Sequence, residues 1–433
     1  MNLTIEKHKT VSVEEHQDVS TEELTGLDLD VLRRRINFDT SCINTSRVNL
    51  LTYEIDKSHP EGQFSALFRI GAEWLDEEQT QSIVVVPKMR NIDFIEMFMQ
   101  CLSDSEVADK FADIYDIDFD AKPVYAPDLE TVLSPLLVVQ YLMCVKRIAA
   151  RGLRKGYVGR EENLNKVKGR IDIGRNERLN VMTHHCERVF CRYELFSADT
   201  PTNRYLKQAL FVAKDMIMRM SDHHSFAPLL ALLNYCLSAF QGVSNEGAPK
   251  SVTNIKHNKL YRDYTDALRM ATLILRRKAV AVDLRQAASS YVPVFRMNMA
   301  LLFEHFTLAK LRATFNRAVL YQASGHNGRF LPDFLIVHPD ATVIADAKYV
   351  PKYEDKNVLG GYIQQLSGYA RDMKLLRLLK IDCSDEENIP IVPCVILYPT
   401  KESVELSAEA LFSMKEPDTV KFYKCPIQIP TYK

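Results

Sequence analysis

The segment "FLPDFLIVHPDATVIADAKYV", residues 330–350, sets two carboxylates, Asp333 and Asp346, in flanking apolar runs and adds Lys348 two residues after the second. The runs Phe330–Val337 and Thr342–Val350 are rich in Ile, Val, Phe and Leu and read as strands. The turn cluster "HPDA", His338–Ala341, joins them. A symmetric hairpin centred on Pro339–Asp340 pairs Val337 with Thr342, and the same register sets Asp333 opposite Asp346. Their Cα atoms would then lie about 4.5–5.5 Å apart. Like charges directly opposite destabilise a sheet, and carboxylates sharing a site resist ionising together. A divalent cation removes the conflict, because hard oxygen ligands from two strands suit Mg²⁺ or Mn²⁺. Lys348, at i+2 from Asp346, leaves the same face of the strand and could orient a water or a phosphate there. The alternative is a hairpin whose acids sit at a wet sheet edge, and spacing alone leaves both readings open.

The chain of 433 residues has room for two or three domains and for cores that need no disulfides. Its formal net charge of −1 carries no global basic signature, so any nucleic-acid partner must be held by a local patch. Nine cysteines, an odd number without a Cys-x-x-Cys pair, point to a reducing, cytoplasmic setting. The start "MNLTIEKHKT" is not a signal peptide. The longest apolar run, residues 134–145, is too short to span a bilayer and carries Gln140, so no membrane partner is expected.

Three regions are expected. Residues 1–30, with eight acids against two lysines, read as a partly solvated segment. Strand-like text follows in "RVNLLTYEI", "FSALFRIGAEWL" and "QSIVVVPKM", and residues 92–113 read as helix, so 1–125 forms a β-rich N-terminal region. Residues 126–289 form a basic and helical middle segment, beginning with one or two helices that end near Gly152. Within it, Lys146–Arg178 holds eleven Lys or Arg against four acids, with Tyr157 and five glycines interleaved. Arg151, Arg154, Lys155, Lys166, Lys168 and Arg170 are the candidate phosphate contacts, since such side chains neutralise backbone charge without reading sequence. The bland alternative is a solvated helix end and loop. The third region, 290–433, holds the opening hairpin.

Glu304 lies in "FRMNMALLFEHFTLAKLRATF", read as one helix, on a face with Met297, Leu301, Leu308, Leu311 and Phe315. A carboxylate in an apolar stripe needs a metal or a partner such as arginine. After Gly360–Gly361 a further helix is expected to open, with Gln365 and Tyr369 one turn apart. "HHCERVFCR", His184–Arg192, lacks a second ligand pair at zinc spacing, and His223–His224 is read the same way, as packing. The sequence has no Gly-x4-Gly-Lys-Ser/Thr loop, so no nucleotide is expected to bind this chain by that mechanism. A Gly-x-Ser-x-Gly elbow is also missing.

The order "LFEHF", "LPDF", "ADAKY" and "QLSGYA" resembles the PD-(D/E)xK nuclease fold. With "RGLRKGYVGREENLNKVKGRIDI" and "CRYELFSADTPTNRYLKQAL" upstream, the chain resembles the McrC family, nuclease subunits of McrBC-type modification-dependent restriction systems. The resemblance extends over roughly residues 65–375. It implies a mixed α/β chain with a PD-(D/E)xK restriction-endonuclease-like domain at 290–433, and a Mg²⁺-dependent (Mn²⁺ possible) DNA endonuclease. Asp333, Asp346 and Glu304 would hold the metal, with Lys348 the catalytic lysine and Gln365 the glutamine of the following helix. Where the family often has an acid three residues before that glutamine, this chain has Tyr362, and the site is not extended to it. The implied partners are a McrB-like AAA+ GTPase oligomer, docked by the N-terminal region, and double-stranded DNA. Two other readings are a non-catalytic subunit that stimulates the NTPase and a stand-alone repair or recombination nuclease.

Overall fold

The computed structural model describes residues 9–283 and 291–432, apart from 16, 21, 25, 37–46, 56–61, 221–226, 250–261, 329 and 351–355. It is a mixed α/β chain with two compact units. The first unites residues 1–133 with 289–433, and the second is 134–288. The hairpin region 290–433 therefore shares one compact unit with the N-terminal region.

The acidic N-terminal stretch is not simply solvated. Strand β1 (Lys9–Glu14) buries Val11 and Val13 on one face while its polar residues alternate outward. It pairs in parallel with β3 (Gln81–Val86), which pairs antiparallel with β2 (Arg69–Trp74). Gly71 in β2 has φ +147°, and a Cβ there would lie 2.0 Å from the Phe295 carbonyl oxygen. Glycine at this position is what lets the next strand approach so closely.

The stretch read as a helix over 92–113 breaks in two: α1 (Phe94–Ser103) and α2 (Ser105–Lys110). Asp104 causes the break, taking an extended conformation and accepting the Glu106 and Val107 amides as the N-cap of α2. Strand β4 (Tyr115–Asp118) follows. Helix α3 (Glu130–Arg151) is a single 22-residue helix that ends at Gly152, φ +88°. Pro127–Arg151 is apolar and long enough to cross a membrane, because the flanking turns extend the run counted from sequence. Yet 78% of its apolar window is buried inside the structure, as expected of a core helix.

In the second unit, β5 (Gly156–Leu164), β6 (Arg170–Ile171) and β7 (Val189–Ser197) form an antiparallel sheet in the order β6-β7-β5. The basic stretch is thus strand over Gly156–Leu164 and Arg170–Ile171, while Arg151 stands at the end of α3 and Arg154, Lys155, Lys166 and Lys168 lie in the connecting loops. Helices α4 (Pro201–Met220), α5 (Ala227–Ala239) and α6 (Arg262–Asp283) complete that unit.

The text read as one helix from Phe295 is a strand followed by a helix. Strand β8 (Val294–Asn298) inserts between β2 and β4 and completes a sheet of order β1-β3-β2-β8-β4. Asn298 then caps α7 (Met299–Phe315), accepting the Leu301 amide. Met297 is therefore a strand residue and shares no helix face with Glu304. A buried ion trio secures this sheet: Arg296 Nε donates to Glu73 Oε2 at 2.7 Å and its Nη1 donates to Asp116 Oδ2 at 3.1 Å. Glu73 Oε1 accepts the Asn49 and Leu50 amides at 2.8 and 2.6 Å.

The last sheet contains β9 (Val319–Tyr321), β10 (Phe334–His338), β11 (Ala341–Ala347), β12 (Cys394–Thr400), β13 (Met414–Lys415) and β14 (Phe422–Gln428). Their order is β9-β10-β11-β12-β14-β13. β10 and β11 are antiparallel, in the register that pairs Val337 with Thr342 and Phe334 with Ala345. β11, β12 and β14 are parallel. Parallel neighbours need a crossover, and two helices lie on the one from β11 to β12: α8 (Lys356–Tyr369) and α9 (Met373–Leu378). α8 begins before the glycine pair and runs through Gly360 and Gly361. Leu335, Ile344 and Ile396 of the sheet pack against Leu366, Tyr369, Leu375 and Leu376 of these helices in one core. α7 is buried nearly all round, and its Arg312 is bound by Asp104 and Glu106 at 2.8 and 2.7 Å.

Candidate functional site

The β10–β11 ladder stops at Phe334–Ala345, so Asp333 lies one residue outside β10, in the register position opposite Asp346. Its carboxylate takes over the work of a ladder carbonyl: Oδ2 accepts the Ala347 amide at 2.7 Å. Its backbone oxygen accepts the Gln322 amide at 2.9 Å. Asp346, on β11, is 1% exposed and ion-paired with the Lys348 ammonium. Lys348 itself is fixed to the neighbouring strand, its amide donating to Leu397 O at 2.8 Å.

Glu304 reaches the same place from α7. Its Oε1 accepts the Tyr321 hydroxyl at 2.8 Å and the Gln322 side-chain amide at 3.0 Å. No arginine holds it in these contacts. Burial raises the Glu304 carboxyl above its ordinary range and the Asp346 charge adds to that, against the two hydrogen bonds and Lys348. Burial likewise pushes Asp333 well up, reinforced by the Asp346 and Glu304 charges. Burial alone would lower the Lys348 ammonium, but the charge and hydrogen bonding of Asp346, helped by Asp333, outweigh it and raise the pKa. Three carboxyls and one ammonium thus feel one another's charge at one end of the sheet.

Gln365 is exposed and donates through Nε2 to the Tyr369 hydroxyl at 2.7 Å. Tyr369 is buried, and its phenol is raised by burial first, with smaller effects from Asp346, Lys348 and Asp333. Tyr362, left outside the site by sequence, stands beside it: the Lys348 ammonium lies 5.0 Å from its ring centroid. Tyr321 and Gln322 were also missed. The one signal for them is their place at the end of β9, whose Tyr321 stacks on Phe334 at 6.0 Å and 27°.

Among the described residues, no three His, Cys, Asp or Glu side chains stand ready as a metal-ligand sphere. Ala347 occupies Asp333 Oδ2 and Lys348 occupies Asp346 Oδ2. The donor chemistry nevertheless fits a hard divalent cation, because such an ion relieves the cost of burying the Asp333 and Glu304 carboxyls beside Asp346. His223 and His224 lie outside the described residues.

Arg151, Arg154, Lys155, Lys166, Lys168 and Arg170 are all exposed and belong to the second unit. Arg151 is ion-paired with Asp263 at 2.5 Å, and the Lys168 ammonium lies 4.0 Å from the Tyr193 ring centroid. Acids nearby hold other cations of the unit: Arg160 pairs with Asp199, and Arg192 with Glu161 and Asp172. Tyr157 and Phe196, 74% and 59% exposed, meet at 5.3 Å on β5 and β7.

A profile of the McrBC 5-methylcytosine restriction system component family matches residues 75–371, more than half the chain. The chain belongs to this family. The matched span of the McrBC-family chain takes in Glu304, Asp333, Asp346, Lys348, Gln365 and the basic stretch. Among solved structures it is similar to a chain of the refined half-complex from a tetradecameric assembly of Thermococcus gammatolerans McrB AAA+ hexamers with bound McrC. That match is 15% identical over 97% of this chain and 94% of that one, with a TM-score of 0.37. It is also similar to a chain in the cryo-EM structure of the Thermococcus gammatolerans McrBC complex, 14% identical over 70% of this chain and 87% of that one, TM-score 0.29. No curated protein matches this McrBC-family chain at a significant level.

Proposed function

We propose that this chain is the nuclease subunit of a McrBC-type restriction system, a metal-dependent DNA endonuclease of the PD-(D/E)xK type. One observation carries the reading: at one end of a mixed sheet Lys348 pairs with Asp346, the Ala347 amide between them binds Asp333, and Gln322 donates to both the Asp333 carbonyl and the Glu304 carboxylate. A purely structural hairpin has no use for three acids gathered at one end of its ladder. Asp333, Asp346 and Glu304 would hold Mg²⁺ or Mn²⁺. When bound, the ion supplies Lewis acidity toward a phosphate oxygen and a more acidic water. Asp333 keeps the hairpin end closed through the Ala347 amide. Tyr321 and Gln322 aim Glu304 by donating to a single oxygen, which leaves Oε2 for a ligand. Lys348, kept cationic by Asp346, presents an ammonium that stabilises negative charge on a pentavalent phosphorus, worth most where water is excluded. The partner proposed is a McrB-like AAA+ GTPase, in keeping with membership of a two-component restriction family and with the missing P-loop motif.

The test is Mg²⁺-dependent cleavage of methylated and unmethylated DNA, with and without the partner NTPase and GTP. Asp346→Ala is expected to abolish cleavage while leaving fold and assembly intact. Wild-type cleavage by that variant would sink the site assignment. Partner-independent cleavage would favour a stand-alone nuclease. NTPase stimulation with DNA left whole would make the chain a regulator.

A further inference from the structure

Tyr349 follows Lys348 directly, so in an extended segment its side chain leaves the opposite face. There it is buried at 4% exposure against Phe303 of α7, ring centroids 5.9 Å apart. Its hydroxyl donates to Glu15 Oε1 at 3.0 Å. Glu15 stands at the end of β1, with its amide donating to Val86 O at 3.0 Å, and its Oε1 also accepts the Lys88 amide at 3.1 Å. Lys88 closes the circuit: its ammonium donates to the Tyr349 carbonyl at 3.2 Å and lies 4.9 Å from the ring centroids of both Tyr349 and Phe68.

This arrangement is costly. Glu15 is 2% exposed, and its Oε2 has no hydrogen-bond partner among the described residues. A buried carboxyl oxygen left without a partner destabilises the fold, and an apolar side chain of the same volume would pack there at no such cost. What the circuit does hold is the backbone on either side of Tyr349. Past Ala347 the strand has lost its β10 neighbour, because the Ala347 amide turns to the Asp333 side chain. The Lys348 backbone donates to Leu397 O on the β12 side and accepts the Val350 amide at 2.7 Å.

We propose that Tyr349, held by Glu15 and Lys88, is a positioning residue that sets the direction of Lys348 over Asp346. The N-terminal strand thereby becomes part of the support of the reactive lysine. This inference rests on the nuclease reading for its functional consequence but not for its geometry, and the test separates the two. Tyr349→Phe keeps the ring against Phe303 and removes the bond to Glu15. Glu15→Leu removes the acceptor, and Glu15→Gln restores an oxygen that accepts from both donors. Each variant is made in the full chain and assayed in the complex that supports cleavage, well below its melting temperature. A second readout is the rate at which an amine-reactive ester labels Lys348, followed by peptide mass spectrometry.

The expected result is a fall in kcat of ~10-fold for Tyr349→Phe and Glu15→Leu with KM for DNA held, the size of loss that a small misplacement of a reacting group produces. Glu15→Gln is expected to recover most of that rate, and Lys348 labelling to rise several-fold, about 3 or more, only in the first two variants. Rates within twofold of wild type together with unchanged labelling would overturn the proposal. If wild type leaves DNA whole but labelling still rises in both variants, the positioning stands and the nuclease reading falls.

Discussion

At the scale of single residues, burial decides the chemistry. Asp333 is an acid that a sheet would normally expel, and it persists because one of its oxygens completes the backbone bonding of Ala347. Glu15 is a second case, with a readable pH signature. Burial raises its carboxyl from 4.5 to about 7, opposed by Lys88 and the Tyr349 hydroxyl and supported by Glu14. The folded state therefore keeps a proton that the unfolded chain releases near pH 4.5. Stability from this group is fully present below that pH and is lost as the pH rises toward about 7, roughly 3 kcal/mol in all. Glu15→Gln cannot ionise and should flatten this contribution. Denaturant unfolding at pH 4.5, 5.5, 6.5 and 7.5 measures it, and parallel pH slopes for wild type and variant would contradict the assignment.

At the scale of elements, the reach of α7 matters most, since it carries Glu304 to the end of another sheet. Two devices fix it. Arg312 ties its C-terminal half to the α1–α2 joint, where Asp104 serves both as helix cap and as ion partner. Arg296, just before its start, is buried between Glu73 and Asp116. Removing one partner of such a buried pair strands the other, so Arg296→Ala should cost roughly 3–5 kcal/mol of stability. Glu73→Gln should cost less than Glu73→Leu, because Gln keeps an oxygen for the Asn49 and Leu50 amides. Thermal melts of the three variants decide this. Equal losses for Gln and Leu would mean the two amide bonds contribute nothing.

At the scale of the whole molecule, charge is local rather than global. The net charge of −1 hides a sheet of β5, β6 and β7 whose stretch is strongly basic, and part of that charge is spent internally on Glu161, Asp172 and Asp199. Lys155, Lys166 and Arg170 are exposed and suit phosphate contact. Reversing all three to Glu should weaken DNA binding and reduce the slope of log K against log salt by about three. Fluorescence anisotropy with duplex DNA between 50 and 200 mM salt, about the range over which such contacts are screened, measures it. An unchanged slope would remove this surface from the binding account.

The sequence by itself determined the hairpin register, because a tight turn at Pro339–Asp340 between two apolar runs pairs Val337 with Thr342 and counts outward from there. It also marked Asp333, Asp346, Lys348 and Glu304 as candidate site residues, since acids in apolar text need a metal or a partner. It misjudged what depends on neighbours distant in the chain. Phe295–Asn298 has helical spacing, yet becomes strand because β2, with Gly71, leaves a slot that only an extended segment fills. Within the basic stretch, Gly156–Leu164 and Arg170–Ile171 carry no long apolar run, yet pair as strands because backbone bonding to β7 does not require one. Tyr321, Gln322, Tyr362 and the Glu15–Lys88–Tyr349 circuit were illegible, being ordinary polar residues far apart in sequence. Only the tertiary structure brought them around Lys348, because side-chain hydrogen bonds and cation–π contacts act through space and leave no period in the chain.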